Sequence, residues 1–132
     1  MYRILIADDE KIERAGIRFL LDQMGQEFEI FEAVNGKEAL EWLEQNQADI
    51  LITDVKMPFV NGIELLEQVT KRCPDMKKVI FSGYGEFEYA RQAMRFGGEE
   101  YILKPVDPEE FNRVMEKAVA DLDSEKREES RK

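Results

Sequence analysis

Four short apolar runs in this chain each end on residues that can do chemistry. Asp8, Asp9 and Glu10 follow Ile4–Ala7, and Asp54 comes shortly after Ile50–Ile52. Ser82 and Gly83 follow Val79–Phe81, and Lys104 and Pro105 follow Tyr101–Leu103. Brought together, Asp8, Asp9 and Asp54 supply three carboxylates, Ser82 a hydroxyl and Lys104 an ammonium group. Two unit charges about 5 Å apart repel by roughly 3 kcal/mol at an effective dielectric of about 20, so such a cleft wants a cation. The chain has no histidine and one cysteine, Cys73, so the ligands are oxygens, which suit Mg²⁺, Mn²⁺ or Ca²⁺. Mg²⁺ on a few carboxylates keeps positions open for phosphoryl oxygens, and an aspartate can itself accept a phosphoryl group. Lys104 and Ser82 would complete an electrostatic clamp around the transferring group.

Whether these residues meet depends on the elements that carry them. The apolar runs, with Phe28–Val34 as a fifth, are short and rich in β-branched or aromatic residues, which favours strands. Amphipathic stretches separate them. Ile12, Gly16, Phe19 and Leu20 are expected to share a face of the first helix, and helical spacing recurs at Ala39, Leu40 and Leu43 of the second. Leu65, Leu66 and Val69 mark the third and Phe87, Ala90 and Met94 the fourth, with Gly97 as its cap. Phe111, Val114, Met115, Ala118 and Leu122 mark the fifth, opened by Asp107-Pro108.

Strict βα alternation, five times over, predicts a flavodoxin-like (βα)5 three-layer sandwich with a parallel sheet. Glu29 and Glu32 suit the second strand to an edge, and with the first strand near the middle this matches the strand order 2-1-3-4-5. In that order the C-terminal ends of strands 1, 3, 4 and 5 share one edge, at a topological switch point where ligands bind. The chemistry-bearing residues then converge.

Composition narrows the function. Nineteen basic and 29 acidic residues in 132 give 19 − 29 = −10, which disfavours nucleic-acid contact by this chain. One cysteine excludes a disulfide framework, and no apolar run approaches a membrane span, so a cytoplasmic protein is expected. One domain over residues 1–122 is expected. Residues 123–132 read as a charged tail or the start of a linker.

The sequence resembles a response-regulator receiver domain of two-component signalling from residue 1 to about 122. The resemblance rests on Asp8-Asp9-Glu10, Asp54 with Met57-Pro58 and Gly62, Ser82-Gly83, and Tyr101-Ile102-Leu103-Lys104-Pro105, in that order and spacing. The stretch Ser82 to Ala90 is similar to the subgroup that carries an AraC-type helix-turn-helix output domain. The resemblance implies that Asp54 is the phosphoacceptor. It implies that Asp8, Asp9, Asp54 and the backbone carbonyl of Lys56 hold Mg²⁺, with Mn²⁺ as a substitute. Lys104 and Ser82 would contact the phosphoryl group, Tyr101 would report the movement of Ser82, and the bond from Lys104 to Pro105 would be cis. Tyr84, two residues past Ser82, would tune hydrolysis. The implied donor is a histidine kinase docking on the first helix, and the implied output surface, a possible homodimer contact, is helix 4–strand 5–helix 5. The chain would then be a switch without a separate substrate rather than a turnover enzyme. Two other readings stand beside it: a phosphorylation-independent interaction module, and an Mg²⁺-dependent phosphohydrolase. The second is disfavoured by Lys56, which stands where such enzymes often keep another acid. A flavin carrier is disfavoured by the acids after the first strand.

Overall fold

The structure, a computed structural model, describes residues 1–83 and 85–131. Tyr84 and the role expected of it lie outside the described residues. The strands are β1 (Tyr2–Ala7), β2 (Phe28–Ala33), β3 (Ile50–Asp54), β4 (Lys77–Ser82) and β5 (Glu100–Leu103). They alternate with α1 (Lys11–Gln23), α2 (Gly36–Gln45), α3 (Gly62–Arg72), α4 (Phe87–Arg95) and α5 (Pro108–Ser130). All strand pairs are parallel, in the order β2-β1-β3-β4-β5 that the sequence predicts.

Side chains on successive strand residues point to opposite faces, and this alternation divides the core in two. Ile4, Ile6, Ile50, Ile52, Val79 and Phe81 pack with Ile17 and Leu21 of α1 and with Phe111, Val114 and Met115 of α5. Leu5, Ala7, Leu51 and Ile80 pack on the other face with Ala39 of α2, Leu65, Leu66 and Val69 of α3, and Ala93 of α4. Thus α1 and α5 cover one face, and α2, α3 and α4 the other.

Local signals set the helix ends. Asn35 and Asn61 accept hydrogen bonds from the Glu38 and Glu64 amides at 2.8 and 2.9 Å. Asp107 accepts from the Glu109 amide at 3.1 Å, with Pro108 in the first turn. Gly97, with φ at +119°, follows the last turn of α4 in a conformation that favours glycine.

Two helical faces differ from expectation. In α1 the core takes Ile17 and Leu21, while Ile12 and Phe19 are 86% and 62% exposed. Two apolar stripes compete on this helix. The one at Ile17, Leu20, Leu21 and Met24 wins because it meets β1 and α5 residues in the core. In α4 the short Ala90 and Ala93 face the sheet, and Phe87 and Met94 are left exposed. Helix α5 continues through the charged segment to Ser130. Tyr2 bonds to Asp123 through its hydroxyl, Lys126 lies 4.5 Å from the Tyr2 ring centre, and Lys77 pairs with Glu125 at 2.7 Å.

Candidate functional site

The parallel register lines up the strand ends. Ala7 stands beside Thr53, Asp54 beside Phe81, and Ser82 beside Leu103. Asp8, Asp54, Ser82 and Lys104 therefore follow or end neighbouring strands on the C-terminal edge. Asp8, Asp54 and Lys104 meet there, with Ser82 at the end of the neighbouring strand, and Asp54 and Lys104 line a cleft of about 450 Å³.

Asp54 is held by its surroundings. Its backbone carbonyl accepts from the Thr53 hydroxyl at 2.9 Å, and the next amide, Val55, pairs with the Phe81 carbonyl at 3.1 Å. Gly62 opens α3 so close to this strand end that a Cβ there would run into the Asp54 carbonyl and the Val55 Cα. Its amide closes the loop on the Val55 carbonyl at 2.9 Å. Asp54 is 7% exposed. One of its oxygens, Oδ2, accepts from Lys104 Nζ at 3.1 Å, and the other, Oδ1, is buried without a partner.

Asp8 is 1% exposed. Its Oδ1 accepts from the Glu10 amide at 2.9 Å, which steadies the start of α1. Its Oδ2 is buried without a hydrogen bond, 3.8 Å from Lys104 Nζ. So capping accounts for half of this carboxylate and leaves the other half to the cleft. Asp9, next to it, is exposed on the cleft rim.

Ser82 is also 1% exposed, and its hydroxyl is the third buried oxygen here without a partner. Lys56 lines the cleft and places its Nζ 5.5 Å from the Tyr89 ring centre. Tyr101, at the start of β5, is part-exposed, one strand-length from the cleft. The bond from Lys104 to Pro105 is cis.

One residue joins the site that the residue-by-residue reading did not include. Glu13 of α1 binds Lys104 Nζ at 2.5 Å. Asp8, Glu13 and Asp54 each place a carboxylate oxygen within 4.8 Å of the others. Glu13 stands four residues before Ile17, on the stripe that faces the core, so the correct α1 face would have pointed to it.

The electrostatics follow from this crowding. Burial, reinforced by the facing Glu13 carboxylate and the nearby Asp54, pushes the Asp8 carboxyl up to about 8. Burial also raises Asp54, although Lys104 works against it. Glu13 moves the other way: burial is outweighed by the neighbouring Asp8 carboxyl and the bond to Lys104, and it is held below the usual range. Burial opposes the charge on Lys104, but Glu13, Asp54 and Asp8 together raise it well above its ordinary value. The lysine stays charged while the acids around it compete for protons and for a cation. Three buried oxygens without partners, beside an excess of carboxylates, fit a hard divalent cation and an anion bound to it.

Comparison with known proteins points the same way. Residues 4–116 match the family described as the response regulator receiver domain. The uncharacterized transcriptional regulatory protein YesN of Bacillus subtilis strain 168 is 40% identical over 124 residues, covering 92% of this chain and 33% of its own. The receiver domain of AraT, a response regulator from Geobacillus stearothermophilus, superposes with a TM-score of 0.85 at 35% identity, covering 95% of this chain and 98% of that one. A two-component transcriptional regulator AraC from Clostridium phytofermentans superposes with a TM-score of 0.79 at 33% identity, covering 91% and 94%. The chain spans a third to a half of the length of the curated relatives it matches.

Proposed function

The chain belongs to the response regulator receiver domain family, and from that premise we propose that Asp54 is its phosphoacceptor. The observation that carries this is the Asp54 carboxylate itself. It is buried at the switch point, bonded to Lys104 through one oxygen, with its second oxygen and the neighbouring Ser82 hydroxyl unpartnered.

The donor is a phosphohistidine on a partner kinase. An Asp54 oxygen attacks phosphorus, the P–N bond breaks as the P–O bond forms, and the imidazole leaves with the bonding electron pair. Asp8, Asp9, Asp54 and the Lys56 carbonyl would hold Mg²⁺, or Mn²⁺ in its place. The ion would neutralise charge on the phosphoryl oxygens. Lys104 is already 3.1 Å from Asp54 and needs little movement to reach an oxygen on phosphorus. The product adds about two negative charges at neutral pH. Ser82 donates to it and moves toward Asp54, and Tyr101 fills the space behind. The surface of α4, β5 and α5 then changes by a shift between two populations. Hydrolysis returns the aspartate and inorganic phosphate, so the domain acts on no separate substrate.

The kinase docks on α1, where Ile12 and Phe19 are exposed. The phosphorylated form dimerises through α4, β5 and α5, where Phe87, Met94, Phe96, Tyr101 and Leu103 are exposed. Residues 1–122 form the receiver, and the charged segment from 123 leads toward an output domain of the AraC helix-turn-helix type that controls transcription. The work takes place in the cytoplasm. Among the described residues no helix is long and apolar enough to cross a membrane.

Incubation with acetyl phosphate and Mg²⁺ tests the assignment. Wild type should gain one acid-stable, hydroxylamine-labile phosphate, visible by mass spectrometry. Asp54→Ala should gain none, and equal labelling of both proteins would sink the reading.

A further inference from the structure

Two donors on the cleft wall are already engaged by carboxylates. Lys104 Nζ is held by Glu13 at 2.5 Å, shorter than its 3.1 Å contact with Asp54. The Gly83 amide, directly after Ser82, donates to Glu86 Oε1 at 2.5 Å. Both glutamates line the cleft that Asp54 opens into. An anion on Asp54 would sit among the same N–H groups.

We propose that Glu13 and Glu86 are positioning residues that act as internal competitors of the phosphoryl group. Each carboxylate occupies a donor that the phosphorylated aspartate must capture, so phosphorylation has to displace both. The inference rests on Asp54 being the phosphoacceptor and names what that site must expel.

The charges favour this reading. Asp8, Asp9, Glu10, Glu13, Asp54 and Glu86 put six acids around the cleft against two lysines, Lys56 and Lys104. A further dianion enters only if some of that charge moves away. Glu13 has somewhere to go, because it is on the first turn of α1 and about a quarter exposed. Glu86 matters differently. It stands at the N-terminal cap of α4, its amide bonds to the Gly83 carbonyl at 3.1 Å, and its carbonyl accepts from Ala90 at 3.0 Å. Releasing its side chain frees the loop that enters α4. Occupancy at Asp54 is thereby coupled to α4 by a route separate from Ser82 and Tyr101.

Beryllofluoride binding at saturating Mg²⁺, followed by ¹⁹F NMR, tests the proposal. The proteins are wild type, Glu13→Gln, Glu86→Gln and Glu10→Gln. Glutamine keeps the shape and can still accept a hydrogen bond, so a purely structural role predicts no change. Competition predicts that Glu13→Gln and Glu86→Gln each bind about fivefold tighter, the scale of a partly exposed ion pair for Glu13 and of a hydrogen bond to a charged acceptor for Glu86. Glu10 lines the same cleft without pairing with Lys104, and Glu10→Gln controls for charge alone; its affinity should change less than twofold. The Gly83 amide proton gives a second reading. It should shift on beryllofluoride binding in wild type, and in Glu86→Gln its starting position should already have moved. No binding by wild type would remove the phosphoacceptor reading. Binding by wild type with unchanged or weaker affinity in both glutamine variants, or an equal gain in Glu10→Gln, would overturn the competition and leave that reading intact.

Discussion

Phe59 has φ at 69°, in the left-handed region that β-carbon-bearing residues avoid, and its ring is 80% exposed. It lies in the loop between Asp54 and Gly62, where the chain must turn sharply to start α3 against the Asp54 carbonyl. A left-handed residue costs roughly 1–2 kcal/mol unless its side chain tolerates it, and asparagine does so better than phenylalanine. The exposed ring offers little burial in return. Phe59→Asn should therefore raise stability by about 0.5–1 kcal/mol in urea denaturation. A loss of stability would show that the ring packs in solution. The same reasoning separates strain from chemistry at Asp54, where the backbone is ordinary and the unpaired oxygen is the unusual feature.

At the scale of elements, α5 is longer than the core requires. Its last buried residue is Leu122, yet the helix continues to Ser130. Tyr2 holds this extension: its hydroxyl bonds to Asp123 and its ring carries Lys126. Burial, then Asp123, pushes the Tyr2 phenol up to about 12. Tyr2→Phe keeps the ring and removes the bond. It should cost about 1 kcal/mol and speed amide exchange in residues 123–130, leaving α1 and α3 unchanged. Uniform exchange would mean that the extension holds itself. The strand runs, the strand order and the meeting of Asp8, Asp54, Ser82 and Lys104 were legible because short β-rich runs each ended on a chemical residue. The faces of α1 and α4 were not. Two apolar stripes on α1 satisfy the same period, and only the packed neighbours choose between them. Glu13 was lost with the wrong stripe. The Glu86 bond to Gly83 needs loop geometry that spacing does not encode.

At the scale of the molecule, the net charge of −10 becomes a statement about pH and metal. Asp8 rises from 3.8 to about 8, through burial first and then the Glu13 carboxylate beside it. Between those two values the folded protein keeps a proton that the unfolded chain has released. Stability from this group is present at low pH and falls as pH rises toward 8. Asp54 contributes with the same sign. Glu13 and Glu32 are lowered, so their contribution has the opposite sign, but it is complete above the ordinary glutamate range and is lost only on acidification. From pH 5 to pH 8 Asp8 therefore sets the slope. Metal-free protein should lose stability across that interval, measured by its urea midpoint. Asp8→Asn should flatten most of the loss. A divalent cation needs the deprotonated carboxylate and binds only the folded cleft, so added Mg²⁺ should stabilise more at pH 8 than at pH 5. If Asp8→Asn keeps the wild-type slope, the proton lies elsewhere and Asp8 is not the group that a cation must displace.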